Sequence, residues 1–235
     1  MKVEIWSDVM CPFCYIGKRR FEQALAHFPH KEAITVEWKS FQLDPSMRSE
    51  PGKNINQYLA ERKGWSLEQA RQINRQVTET AASVGLHYDF DKAVVANSFD
   101  AHRFAHLAAS HGLGDAAEEA LFKAYFTEGK DVSDHPTLVQ LGLEIGLELA
   151  EVKEALDGSA YAGEVFRDIR EAESLGAKGV PFFVLDRKYA VSGAQPEDTF
   201  RKALEQAYAE WSLSNQEPLQ NMADGAVCTP DGECK

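Results

Sequence analysis

Short runs with β-type alternation bracket a long stretch of helical period, and their order carries most of the structural information in this chain. Val3-Glu4-Ile5-Trp6 has the character of a strand. The pattern that begins near Tyr15 places Phe21, Leu25 and Phe28 inward at helical spacing before Pro29 stops it. Ile34-Thr35-Val36-Glu37-Trp38-Lys39-Ser40-Phe41 alternates apolar and polar positions, is rich in β-branched and aromatic residues, and ends in the turn signal Asp44-Pro45. Two strands joined by a helix predict a parallel βαβ unit. From 46 to 178 the period becomes that of amphipathic helices, with candidates over 59–84, 98–111, 115–126, 135–145, 149–156 and 160–175 and no convincing strand. Ser66, Ser98 and His135-Pro136 mark helix starts, and Gly85, Gly112 and Gly176 mark ends. Strand character returns at Phe182-Phe183-Val184-Leu185, turns through Asp186-Arg187-Lys188 and resumes at Tyr189-Ala190-Val191. A last helix over 196–212 carries Phe200, Leu204 and Tyr208 on one face.

The assembled order is βαβ, a helical insertion, then ββα. It predicts an α/β, thioredoxin-like fold in which 1–45 and 179–213 build one domain, 46–178 forms a large all-helical domain inserted in its middle, and 214–235 is a tail. With 235 residues, of which 44% are hydrophobic and 26% charged, the chain is long enough for a full core plus an insertion. A net charge of −12 argues against nucleic-acid binding, which relies on Lys and Arg neutralising phosphate. No stretch reaches the length of a membrane span. Polar residues at Glu4, Ser7 and Asp8 interrupt any signal-like apolar core, so a cytoplasmic location is expected.

Cys11-Pro12-Phe13-Cys14 lies between the first strand and the first helix. In a reducing compartment, a Cys-X-X-Cys pair handed from a strand to a helix N-terminus points to dithiol redox chemistry. The unpaired N–H groups and positive dipole end of the helix favour a thiolate at Cys11, and Pro12 suits the first helical position. Cys14, one turn further in, would be the sheltered sulfur. A structural zinc site needs two more ligands at suitable spacing, whereas Cys228 and Cys234 stand at the far end with five residues between them. No metal and no cofactor are expected. His102 and His106 share a helical face but lack a third ligand, which favours core or interface positions. The polar tail, broken by Pro218, Gly225, Pro230 and Gly232, fits two roles for Cys228 and Cys234: an accessory disulfide or idle thiols, or a second exchange pair. Extended chain from Trp211 would carry Cys228 about 50 Å, so reach is no obstacle.

Three motifs in order, Ser7-Asp8-Val9-Met10-Cys11-Pro12-Phe13-Cys14-Tyr15-Ile16-Gly17, Asn97-Ser98-Phe99-Asp100-Ala101-His102-Arg103 and Gly179-Val180-Pro181-Phe182-Phe183, resemble the DsbA-type thiol-disulfide oxidoreductases, specifically the FrnE-like branch. The resemblance covers roughly the first nine-tenths of the chain. It implies a Cys11-Cys14 redox pair that acts through mixed disulfides on protein thiols or disulfides, with thioredoxin or glutathione as recycling partners. By residue type alone, Pro181 suits either a cis proline in a turn or a trans proline opening an edge strand. The resemblance implies the cis form opposite the cysteines, with Val180, Pro181, Pro12 and Phe13 contacting substrate. It also implies that His102-Arg103 packs where the helical cap meets the redox domain. Periplasmic DsbA proteins carry His between the cysteines; Phe13 supplies no charge there, which suggests a less oxidising pair. Two other classes are weighed. Glutathione-dependent isomerases of the same superfamily carry serine at the first cysteine position, and a noncatalytic chaperone or peptide-docking module would keep the cleft without needing the thiols.

Overall fold

The computed structural model describes residues 1–215. Strand β1 (Lys2–Ser7) runs into helix α1 (Pro12–Ala26), and β2 (Thr35–Ser40) returns parallel to β1, in register from Lys2 opposite Thr35 to Ser7 opposite Ser40. There follow β3 (Glu50–Asn54), α2 (Ile55–Lys63), α3 (Leu67–Ala82), β4 (Val94–Val95), α4 (Phe99–Ser110), α5 (Gly114–Phe126), α6 (His135–Glu144), α7 (Leu149–Asp157) and α8 (Ala162–Ser174). The chain then re-enters the sheet as the hairpin β5 (Phe182–Leu185) and β6 (Tyr189–Ser192) and closes with α9 (Glu197–Ser214). The sheet order is β2-β1-β5-β6, with β5 antiparallel to β1 and β6 antiparallel to β5. This is the α/β, thioredoxin-like βαβ…ββα arrangement with a large helical segment between its halves.

The alternation of β1 separates two cores. Val3 and Ile5 pack with Phe21, Phe28, Phe183, Leu185, Phe200 and Leu204 beneath α1 and α9. Trp6 faces the other way, against Phe182, Val184 and Ala172 of α8, and its indole N–H donates to the Asp168 carbonyl at 2.9 Å. Phe21, Phe183 and Phe200 form a tight aromatic group with centroids 4.6 to 5.7 Å apart. Each such buried ring contributes about 1.5–3 kcal/mol of apolar burial. The largest core belongs to the helices, yet it also contains Val9, Cys11, Cys14, Tyr15 and Ile16 from the start of the redox motif. The cysteines therefore sit at the seam between sheet and helices.

Two local expectations differ from what forms. The pattern over 59–84 predicts one helix, but Gly64 adopts a left-handed conformation (φ 68°) and ends α2, and α3 restarts after a capping box formed by Ser66 and Gln69. The interval 46–178 also holds a two-stranded ribbon, β3 against β4, rather than helices alone. Asn54, the last residue of β3, ties the ribbon to the loop before β4: its side-chain amide donates to the carbonyls of Phe90 and Asp91 at 2.9 and 2.8 Å, while its oxygen caps α2. Ser98 precedes α4 without a side-chain cap, and α6 is capped by Asp134, which accepts from Thr137 N at 2.9 Å.

Candidate active site

Cys11 occupies the N-cap of α1, with Pro12 at the first helical position where a missing N–H costs nothing. Its amide donates to the Asp8 carbonyl at 2.9 Å and its carbonyl accepts from Cys14 N at 3.0 Å, which fixes the turn that opens the helix. Cys11 and Cys14 are both free thiols, 5% and 1% exposed. Burial pushes the Cys14 thiol well above its ordinary pKa, and the neighbouring Cys11 pushes the same way; the Asp8 backbone and the Ser7 hydroxyl oppose this weakly.

The sheet supplies one wall. The Val180-Pro181 peptide is cis, and the Val180 carbonyl stands 3.5 Å from Cys11 Sγ. The Pro181 carbonyl accepts from Gly193 N at 2.8 Å, which ties this loop to the end of β6, and the Ala194 carbonyl accepts from Arg20 of α1 at 2.6 Å. Gly17 makes the close packing of α1 on this loop possible. A Cβ there would lie 2.9 Å from Pro181 Cγ and 3.4 Å from Phe183 Cζ.

The helices supply the other wall. A cavity of about 420 Å³ opens beside Cys11, lined by Pro12 and Phe13 together with Leu43, Tyr58, Ile73, Val77 and others from α2, α3 and α5. Phe13 is 45% exposed, and Leu43, Trp65 and Ile73 also present apolar surface at its margin. Tyr88, from the loop after α3, donates its hydroxyl to the Pro12 carbonyl at 2.8 Å and stacks on Phe126 at 4.6 Å. Further along α1, Tyr15 stacks on Phe122 at 4.9 Å and donates to Glu119 at 2.6 Å. Lys18, almost wholly buried, pairs with Glu22, with Asp115 at 3.1 Å and with Glu119 at 3.3 Å, which fastens α1 to α5.

Of the residues singled out in the sequence, Cys11, Cys14, Pro12, Phe13, Val180 and Pro181 come together here. Cys228 and Cys234 lie outside the described residues. His102 is buried with Nε2 3.5 Å from Asp8 Oδ1, whereas His106 reaches Asp168 at 3.0 Å and the Ser40 hydroxyl at 3.1 Å, so the two histidines serve different carboxylates. Arg103 donates to the carbonyls of Ala155, Gly158 and Ala160 and pairs with Asp100, holding the end of α7. Tyr125 and Phe126 line the cavity, while Phe104 and Phe122 are core. Sequence reasoning missed Tyr88 and the packing role of Gly17. Gly17 alone left a trace, as a glycine in the second turn of a run that otherwise forms helix.

A family model described as a DSBA-like thioredoxin domain matches residues 2–205. A probable DsbA oxidoreductase of Streptomyces coelicolor is 43% identical, with a TM-score of 0.84 over 100% of this chain and 98% of that one. The cytosolic disulfide reductase DsbM of Pseudomonas aeruginosa shares the fold, with a TM-score of 0.60 at 23% identity over 89% of this chain and 100% of its own. The protein YwbO of Bacillus subtilis is 27% identical over 204 residues, 86% of this chain and 94% of that protein.

Proposed function

The chain belongs to the family of DSBA-like thioredoxin domains, and we propose that it exchanges disulfides with protein substrates through Cys11 and Cys14. Cys11 is the attacking sulfur and Cys14 the resolving one. The observation that carries this assignment is their asymmetry: Cys11 caps a helix N-terminus beside an open apolar cavity, and Cys14 is sealed behind it. In the reductive direction the Cys11 thiolate attacks a substrate disulfide, forming a mixed disulfide and releasing one substrate thiolate. Cys14 then attacks Cys11, the Cys11–Cys14 bond forms, and the second substrate sulfur leaves. Val180 offers backbone hydrogen-bonding groups to an extended chain laid across Cys11, and Phe13 and the cavity receive an apolar side chain near the substrate cysteine.

The uncharged Phe13 between the cysteines supports a role on the reducing or isomerising side, in the cytosol, with thioredoxin or glutathione returning the pair to its working state. The description of DsbM as a cytosolic disulfide reductase is consistent with that setting. We further propose that Cys228 and Cys234 exchange with the Cys11-Cys14 pair. Insulin-type reduction assays test the central assignment. Cys11→Ser abolishes turnover, and Cys14→Ser accumulates mixed disulfides with substrate; substantial turnover by the Cys11 variant would overturn it, and aggregation-suppressing activity that outlives loss of Cys11 would favour a docking module instead.

A further inference from the structure

The cavity beside Cys11 is apolar over most of its wall, yet two buried side chains in that wall carry polar atoms that no group among the described residues pairs. Ser98, 4% exposed, stands where a helix-capping serine belongs, immediately before α4. A serine there ordinarily accepts from an amide of the first turn. Ser98 does not, because its own backbone is already helical (φ −80°, ψ 0°) and Asn97 performs the task from one position upstream, its Oδ1 accepting from Phe99 N at 2.9 Å. The Ser98 hydroxyl is thereby released from structural duty, and the residue lines the cavity. Asn74 of α3, 6% exposed, lines it too. Its amide N–H donates to Asn56 Oδ1 at 2.7 Å, and no donor among the described residues reaches its own Oδ1. Tyr58 and Tyr125 in the same wall, by contrast, commit their hydroxyls to Asp44 at 2.8 Å and to the Val94 carbonyl at 2.9 Å.

A hydroxyl and an amide oxygen left free in an apolar wall give the cavity a chemical preference, because an occupant that covers them without pairing them leaves both unsatisfied. We propose that the cavity is a pocket for a tyrosine side chain flanking the substrate cysteine, and that Ser98 and Asn74 are the residues that select it. The proposal rests on the exchange reading and narrows it, from any apolar side chain to one that is apolar along its length and polar at its tip.

The surroundings suit this role. Leu43, Ile73, Val77 and Phe126 supply the apolar wall that an aromatic ring requires. A phenol hydroxyl both donates and accepts, so it satisfies the acceptor on Asn74 and pairs with the Ser98 hydroxyl in either direction. Phenylalanine and leucine fill the same space but do neither. Met10, Cys11 and Pro12 line the cavity as well, so the pocket lies beside the sulfur that receives the substrate disulfide. The Val180 carbonyl stands 3.5 Å from that sulfur on the sheet side. Backbone is therefore held by the sheet side and the neighbouring side chain is read by the helical side. Selection adds no covalent step, and every bond made or broken remains that of Cys11, Cys14 and the substrate sulfurs.

The test uses the full chain, reduced and mixed with disulfide-linked homodimers of acetyl-Cys-Tyr-amide, acetyl-Cys-Phe-amide and acetyl-Cys-Gly-amide, and with the same set in reversed residue order. Chromatography of the released thiol peptide gives the second-order rate of each. In at least one order the tyrosine peptide reacts about tenfold faster than the phenylalanine peptide, since only the latter leaves the Ser98 hydroxyl and Asn74 Oδ1 unpaired. The glycine peptide is slower than both. Ser98→Ala brings the tyrosine rate down toward the phenylalanine rate. Ser83→Ala, at an exposed serine just after α3, keeps the preference. Because the Ser98 hydroxyl caps nothing, its removal leaves the fold in place, which thermal unfolding verifies. A tyrosine-to-phenylalanine ratio near one in both orders overturns the proposal, and so does a preference that survives Ser98→Ala. Should the variant not fold, the wild-type ratio decides alone. Failure of all the peptides to react would instead overturn the exchange reading itself.

Discussion

On the sheet side of Cys11 the contacts are made by backbone: the Val180 carbonyl near Sγ, the Pro181 carbonyl held by Gly193, and Gly17 bare enough for α1 to lie against Pro181. On the helical side they are made by side chains: Tyr88 on the Pro12 carbonyl and the apolar wall from α2 and α3. The difference separates two tasks. Backbone contacts fix where a substrate strand lies and tolerate almost no change of volume. Side-chain contacts set polarity, proton affinity and the shape of the cavity, so substitution there adjusts chemistry and leaves geometry in place.

The sharpest way to break this comparison is to add volume on the sheet side. Gly17→Ala gains about 1 kcal/mol of helix propensity, yet its Cβ overlaps the stiff Pro181 ring at 2.9 Å and must displace the loop. A displacement of even part of an ångström at Val180 lowers kcat/KM for protein disulfides on the order of 10–100-fold, and Gly17→Val lowers it further. Steady-state kinetics alongside thermal unfolding separate the outcomes. A Gly17→Ala protein as active as the wild type would mean that the Pro181 loop is not a rigid wall.

The second prediction probes the helical side through stability. Burial raises the folded-state pKa of Glu118 from 4.5 to about 7, so its favourable contribution is complete below about 4.5 and is lost as pH rises through about 7. Urea unfolding of wild type and Glu118→Gln across that window shows the wild type losing about 1–3 kcal/mol relative to the variant. Parallel pH profiles would place the carboxylate in a more polar setting than the one described.

The division between walls also explains what was legible in the sequence. The Cys11-Cys14 pair, its proline and the strand-to-helix junction are contiguous, and local rules of capping and alternation suffice to assemble them. β1, β2, β5 and α9 were equally plain because their apolar faces follow simple periods. The break at Gly64 was visible as a glycine but was masked by helical period on both sides. The ribbon of β3 and β4 was not visible at all: Glu50-Pro51-Gly52-Lys53-Asn54 has little strand propensity, and its pairing depends on Asn54 reaching the Phe90 loop. The meeting of Asp8 with His102 and Glu118 is a tertiary fact, since three chain segments with no shared periodicity converge on it. Tyr88 lay in a loop without pattern, so nothing local announced its bond to Pro12.

A third prediction is milder. Tyr88→Phe keeps the stack on Phe126 and removes only the hydroxyl that holds the Pro12 carbonyl. The loss is about 1 kcal/mol of stability with a change of less than about fivefold in turnover, measured by chemical unfolding and insulin reduction. A much larger kinetic loss would move Tyr88 from support to direct participation at Cys11.

The smallest effect is expected where neither wall is touched. Removing the residues beyond 215 deletes Cys228 and Cys234 but leaves every contact described around Cys11 intact. Reaction of Cys11 with a small disulfide reagent should be unchanged, because that reagent reaches the cavity without help. Electron transfer with large protein partners should slow, because only the proposed relay is lost. Thiol trapping in Cys11→Ser or Cys14→Ser backgrounds should also capture a disulfide between the remaining active-site sulfur and the tail, identified by peptide mapping. If no such cross-link forms across a range of glutathione potentials and partner kinetics survive truncation, the second pair is an accessory and the redox work belongs to Cys11 and Cys14 alone.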